Sequence, residues 1–186
     1  MAIGPGLTSG EDAAAEVRRI VLESTAPMVA DADALNAFAG RAAELAERRG
    51  ELVITPHEGE FARLFGTSPQ SLADDRVGQV RKAAEIAGCT VVLKGSRSLI
   101  ASPEGEVRVN PTGSSFLATG GTGDVLTGAV ATLLARGLPG PDAATAAAFV
   151  HGVAGRMAGE DLGEGATSMD VAARLASAVA SVRIRP

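Results

Sequence analysis

The chain has 186 residues, 46% apolar and 21% charged, which is the composition of one globular domain with a real core. A net charge of −5 with Phe as the only aromatic type argues against an electrostatic, base-stacking nucleic-acid binder. One cysteine, Cys89, excludes an internal disulfide and reads as a small buried residue, while the absence of a signal-peptide pattern or a long apolar run points to a cytoplasmic, non-membrane protein.

In chain order, Ala2 and Ile3 read as the tail of a buried strand, cut short by Gly4-Pro5-Gly6. A helix follows, capped by Ser9 with Asp12 three positions on, and Val17, Ile20 and Val21 form its apolar face. Pro27–Ala30 is a short buried strand ending at Asp31, and Asp31–Phe38 turns into a short helix. Ala42–Arg49 is expected as a surface helix closed by Gly50. Leu52–Thr55 is a strand ended by Pro56, with His57-Glu58-Gly59-Glu60 at its carboxyl end and a short helix running to Gly66. One helix is expected from about Ser71 to Ala87. Thr90–Leu93 is the next buried strand, and Leu99–Ala101 with Val107–Val109 reads as a hairpin. Helices then cover Val125–Leu134, Ala143–Met157 and Asp170–Val182.

Strands alternating with helices argue an α/β fold, a three-layer arrangement with a mostly parallel sheet and helices on both faces. In such sheets ligands bind beyond the carboxyl ends of the strands. The polar stretches at Gly4, Asp31, His57 and Lys94 all follow strand ends and are expected to converge there.

The segment they would meet is Ala118–Gly128, ATGGTGDVLTG. Gly120, Gly121 and Gly123 deny it regular structure until Val125, where apolar residues begin to recur at helical spacing. A glycine loop feeding a helix N-terminus is a ready anion site. Asp124 stands in the first turn, within reach of whatever the loop holds, and suits a base that takes a proton from a hydroxyl attacking a phosphoryl group. The same residues also suit a plain helix start, the lesser of the two readings. The segment is neither a Walker loop nor a dinucleotide fingerprint, since Leu126 occupies the third glycine position.

His57 does not belong to a zinc HExxH motif, because Phe61 takes the fifth position. Lys94 ends an apolar strand and is followed by Gly95, an arrangement suited to a phosphate or nucleotide contact; a snorkelling edge lysine is the plainer alternative. His151, between Val150 and Val153, is expected to be a packing or surface residue.

Three segments carry a resemblance: ITPHEGEFARLFG (Ile54–Gly66), VVLKGSRSLIASPEG (Val91–Gly105) and NPTGSSFLATGGTGDVLTG (Asn110–Gly128). With GPGL at Gly4–Leu7 and DADALN at Asp31–Asn36 in the same order, the chain resembles the ADP-dependent (S)-NAD(P)H-hydrate dehydratases, nicotinamide nucleotide repair enzymes of ribokinase-like fold. The resemblance implies that a phosphoryl group from ADP (or ATP) turns the hydroxyl of hydrated NADH or NADPH into a leaving group. Asp124 would be the base, and the Gly121, Thr122 and Gly123 amides an anion hole. Gly6, His57 and Asp124 would contact the hydrated dinucleotide; Lys94, Gly95, Ser96, Arg97, Ser98 and Gly123 would contact ADP/AMP. Magnesium is expected with the nucleotide, without an evident protein ligand. The resemblance also implies a homo-oligomer and a functional link to an NAD(P)H-hydrate epimerase. Ser114 and Ser115 depart from the Asn-Pro or Asn-Gly usual after the Thr-Gly of this family. The family also has a substantial segment before GPGL, so the single domain spanning residues 1–186 is expected to be incomplete at its N-terminus, weakly stable and weakly active. A small-molecule kinase of the same superfamily and an inactive remnant remain open readings; His57 in TPHEGE weighs against the kinase.

Overall fold

The computed structural model describes residues 1–7 and 10–182. The cap assigned to Ser9 lies outside the described residues; Gly10 is the residue before helix α1 (Glu11–Glu23). Six strands form one sheet in sequence order: β1 (Ala2–Ile3), β2 (Met28–Ala30), β3 (Leu52–Ile54), β4 (Thr90–Leu93), β5 (Leu99–Ala101) and β6 (Val107–Val109). The first four are parallel, and β5 and β6 add the expected antiparallel hairpin.

The three layers follow from the two-residue period of a strand. Met28, Ala30, Leu52, Ile54, Val91, Leu93, Leu99 and Ala101 point to one face. There they pack on α1, α2 (Asp33–Asn36), α3 (Glu58–Phe65) and α5 (Arg76–Ala87). The intervening Val29, Val53, Val92 and Ile100 point to the other, against α6 (Thr122–Ala135) and α7 (Gly140–Leu162). Both faces are covered, so the central strands read as continuous apolar runs. Helix α8 (Ser168–Val182) packs outside α7. Among the described residues no helix is long and apolar enough to cross a membrane.

Local departures from the sequence reading have local causes. β1 is an edge strand, with Ala2 exposed and Ile3 half-buried, rather than a buried one. Ala42–Glu47 is a 3₁₀ helix, and the chain leaves it extended at Arg48. Gly50 is therefore not a C-terminal cap; a Cβ there would lie 2.5 Å from the Thr25 carbonyl oxygen, so close backbone approach explains the glycine. The helix expected over 71–87 is two, α4 (Pro69–Asp74) and α5, because Asp75 caps α5 through the Gly78 amide (2.8 Å). Cys89 is buried as expected, and burial pushes its thiol up to about 12.

Candidate functional site

The carboxyl ends of β1 to β4 meet around one buried carboxylate. Asp31 follows β2 directly and is 1% exposed. Its Oδ1 accepts from the Ala32 amide (2.9 Å) and from Lys94 Nζ (2.6 Å), and its Oδ2 accepts from Thr127 Oγ1 of α6 (2.8 Å). Gly4 lies against the same residue. At φ 128°, a Cβ on Gly4 would fall 1.7 Å from the Asp31 carbonyl oxygen, so no side chain fits. Ala32 takes φ 49°, the single positive φ outside glycine among the described residues, a strained conformation held next to the carboxylate.

His57 is the N-cap of α3, not a free loop histidine. Its Nδ1 accepts from the Gly59 amide (3.0 Å) and the Glu60 amide (3.2 Å), while Glu60 Oε2 accepts from the His57 amide (2.8 Å). This reciprocal capping box leaves the imidazole exposed, with Nε2 3.4 Å from Glu60 Oε1. His57→Ala should therefore cost about 1 kcal/mol of stability, measured by urea denaturation, because two helix-start amides lose their acceptor.

Lys94 joins these two constellations. Its ammonium pairs with Asp31 and lies 3.7 Å from Glu60 Oε2. A Cβ at Gly123 would sit 3.5 Å from the same ammonium, so the lysine stands directly beside the first turn of α6. An ammonium has three donors, and the carboxylates do not exhaust them.

Gly121 precedes α6 in the left-handed region (φ 85°), and Thr122 is fixed by bonds from its hydroxyl to the Leu117 and Thr119 carbonyls. Of the three amides assigned to an anion hole, that of Thr122 makes a long 3.4 Å bond to the Thr119 carbonyl. Those of Gly121 and Gly123 have no protein acceptor among the described residues. They belong to the positive end of the helix dipole, where an anion is favoured. Asp124 is exposed in the first turn.

A cleft of about 420 Å³ opens between Lys94-Gly95-Ser96, the start of α6, and the segment 110–118. Ser98 also lines it, as do Thr122 and Gly123. Arg97, Gly121, Asp124, His57 and Gly6 lie outside its lining; Arg97, His57 and Gly6 are exposed. The segment 110–118 forms one wall by docking on a glycine face of α7. A Cβ at Gly152 would meet Thr112 Oγ1 at 2.1 Å, one at Gly155 would meet Leu117 Cδ2 at 2.4 Å, and one at Gly159 would meet Phe116 Cδ2 at 2.0 Å. Asn110 Nδ2 adds a buried bond to the Ala148 carbonyl (3.0 Å).

His151 is the residue sequence reasoning undervalued. It is buried, as packing would have it, but it also lines the cleft, with Nε2 buried and without a hydrogen-bond partner. The available signal was its position on the buried Ala144–Ala148 stripe of α7, where an unpartnered polar side chain is costly. Burial pushes its pKa down to about 4, against a weaker opposing effect of the Thr122 backbone. The unfolded chain then binds more protons than the folded one between about pH 6.5 and 4. Stability should fall as pH drops through that window, by about 3 kcal/mol in all. Urea denaturation of the wild type and His151→Phe across it should show the acid loss in the first and its absence in the second.

A family model described as NAD(P)H-hydrate dehydratase matches residues 1–177. The chain is 46% identical over 164 residues to the bifunctional NAD(P)H-hydrate repair enzyme of Mycobacterium leprae, covering 88% of this chain and 34% of the relative. It is 44% identical over 164 residues to the ADP-dependent (S)-NAD(P)H-hydrate dehydratase of Neisseria meningitidis serogroup B, covering 87% and 55%. It superposes on the ADP/ATP-dependent NAD(P)H-hydrate dehydratase of Bacillus subtilis, co-crystallised with ATP and magnesium, with a TM-score of 0.86 at 32% identity, covering 98% of this chain and 64% of that one. The chain thus spans between a third and two thirds of the lengths of these proteins. Its sheet, its glycine loop and its TPHEGE cap lie within the matched residues, and the chain belongs to the NAD(P)H-hydrate dehydratase family.

Proposed function

We propose that this chain carries out ADP-dependent dehydration of the S-epimer of hydrated NADH or NADPH. The observation that carries the reading is the start of α6. There, the unpartnered Gly121 and Gly123 amides, the Lys94 ammonium beside Gly123 and the Asp124 carboxylate occupy one helix end. A transferring phosphoryl group needs donors on its equatorial oxygens and a base on the attacking hydroxyl, and this helix end offers both.

In this reading Asp124 takes the proton of the hydrate hydroxyl as its oxygen attacks the terminal phosphorus of ADP, and AMP leaves. The C–O bond of the phosphorylated hydrate then breaks, phosphate departs, and loss of a ring proton restores the double bond. Gly6 and His57 line the approach of the dinucleotide. Lys94 to Ser98 and Gly123 hold ADP, and ATP is the alternative donor.

Magnesium, when bound, screens the charge of the nucleotide phosphates. Among the described residues no three His, Cys, Asp or Glu side chains are grouped to hold a metal. The buried carboxylates Asp31 and Glu60 flank Lys94 instead. This donor set fits an ion carried on the phosphates with its own waters, not a resident one. A cytoplasmic homo-oligomer working alongside an NAD(P)H-hydrate epimerase completes the proposal.

The test is absorbance at the reduced-nicotinamide band with hydrated NADH, ADP and magnesium. Recovery of absorbance with equimolar phosphate and AMP supports the dehydratase. A stable phosphorylated product without recovered absorbance replaces it with a kinase.

A further inference from the structure

Arg76, the first residue of α5, does not line the cleft, yet it presses on a segment that does. Lys94, Gly95 and Ser96 form part of the cleft wall. A Cβ at Gly95 would lie 2.7 Å from Arg76 Nη2 and 3.6 Å from its Cζ, so the guanidinium occupies the place that a side chain there would take. Gly95 is not among the glycines of positive φ, so its backbone conformation does not call for glycine; the close approach does. Arg76 Nη2 also lies 3.4 Å from Glu58 Oε1, on the first turn of α3 beside the His57 cap. The guanidinium thus meets both the segment after β3 and the segment after β4.

Holding this place is costly. Arg76 makes no hydrogen bond among the described residues, and its Nε and Nη2 are buried without a partner. The ion pair with Glu58, whose side chain is mostly exposed, offsets little of that. Arg48 shows the usual structural use of a guanidinium: both of its terminal nitrogens donate to carbonyls, those of Val21 and Ala26. An arginine at a helix start can reach water and satisfy its donors there, so its burial against Gly95 calls for another explanation. We propose that Arg76 is a positioning residue for the reaction, whose planar guanidinium fixes the Lys94–Ser96 segment where it receives the phosphoryl donor. This rests on the nucleotide reading of the cleft given above. Arginine suits the task because its flat, weakly hydrated face can lie on a peptide while its charge is kept. A small displacement of a binding segment is enough to weaken what it holds.

The experiment is calorimetric titration of wild type, Arg76→Ala, Gly95→Ala and the double variant with ADP and magnesium, with steady-state kinetics and thermal denaturation alongside. Arg76→Ala is expected to weaken ADP about tenfold, seen in turnover as a raised KM for ADP with kcat within about threefold. Gly95→Ala puts a methyl group where the guanidinium lies, so it should act by displacing Arg76 and produce a similar loss. The double variant should then lose about tenfold, not the roughly hundredfold that two independent effects would give. A merely structural arginine would lower the melting temperature and leave ADP affinity alone. Unchanged ADP affinity in Arg76→Ala, or a loss near a hundredfold in the double variant, overturns the inference and leaves the nucleotide reading standing. Should Arg76→Ala not fold, Arg76→Met, which keeps most of the aliphatic stem, takes its place in the same comparison. Failure of the wild type to bind ADP overturns the nucleotide reading itself, and this inference with it.

Discussion

Asp124→Asn should lower the turnover of hydrated NADH by about a thousandfold, within the range general-base removal gives, while leaving ADP affinity nearly unchanged. The substitution is close to isosteric. Asp124 is exposed and, among the described residues, makes no ion pair, so its charge bears on the fold only through the dipole of α6, by about 0.5 kcal/mol. Asn also remains acceptable in a first helical turn. The loss should thus appear in kcat, with the melting temperature moving by no more than about 2 °C, and calorimetric titration with ADP separates binding from chemistry. Activity within threefold of wild type would remove Asp124 from the reaction and leave the glycine loop as a binding element only.

Asp31→Ala should destabilise the fold by about 3 kcal/mol, with a drop in melting temperature on the order of 10 °C. The carboxylate is buried and serves three donors from three parts of the chain: the Ala32 amide, the Lys94 ammonium and the Thr127 hydroxyl. Removing it leaves Lys94, which is only 20% exposed, beside Glu60 at 3.7 Å as its remaining anion. It also leaves Thr127 with an unsatisfied hydroxyl and releases the strained Ala32. Asp31→Asn keeps the shape and can still accept from Thr127, so about half of the loss should return. The two variants, compared by urea denaturation, separate the ion pair from the local hydrogen bonds. Equal losses would mean that the charge carries the whole contribution and the local hydrogen bonds none.

The sheet was legible because its signals are local. Runs such as Val91–Leu93 are apolar at every position, as strands covered on both faces are, and turn residues delimit them. The expected convergence of strand ends follows from topology alone, and the contacts of Asp31 with Gly4 and Lys94 bear it out for those three; His57 connects only through its capping partner Glu60, 3.7 Å from Lys94. The break at Asp75 was also local, but an aspartate within a helical pattern reads as surface until its side chain is seen to cap Gly78. The 3₁₀ character of Ala42–Glu47 has no composition signal, since its residues are good α-helix formers. That His151, read as a packing or surface residue, also lines the cleft was not legible for a deeper reason. Its burial depends on the segment 110–118 and α6 arriving from distant parts of the chain, and no periodicity within α7 announces them. The same is true of the glycines at 152, 155 and 159, which look like weaknesses in a helix until the residues they receive are known.

Those three glycines also bear on how the molecule breathes. Each lowers the intrinsic stability of a helix by about 1 kcal/mol relative to Ala, so the middle of α7 owes its order to the side chains of Thr112, Leu117 and Phe116 laid across it. Lifting the segment 110–118 away should expose the least robust stretch of the longest helix, and fraying of that stretch should release the segment. Backbone amides of both are therefore expected to exchange with deuterium as one cooperative unit, at a lower opening energy than β2 or β3, and to slow together when a ligand fills the cleft that both line.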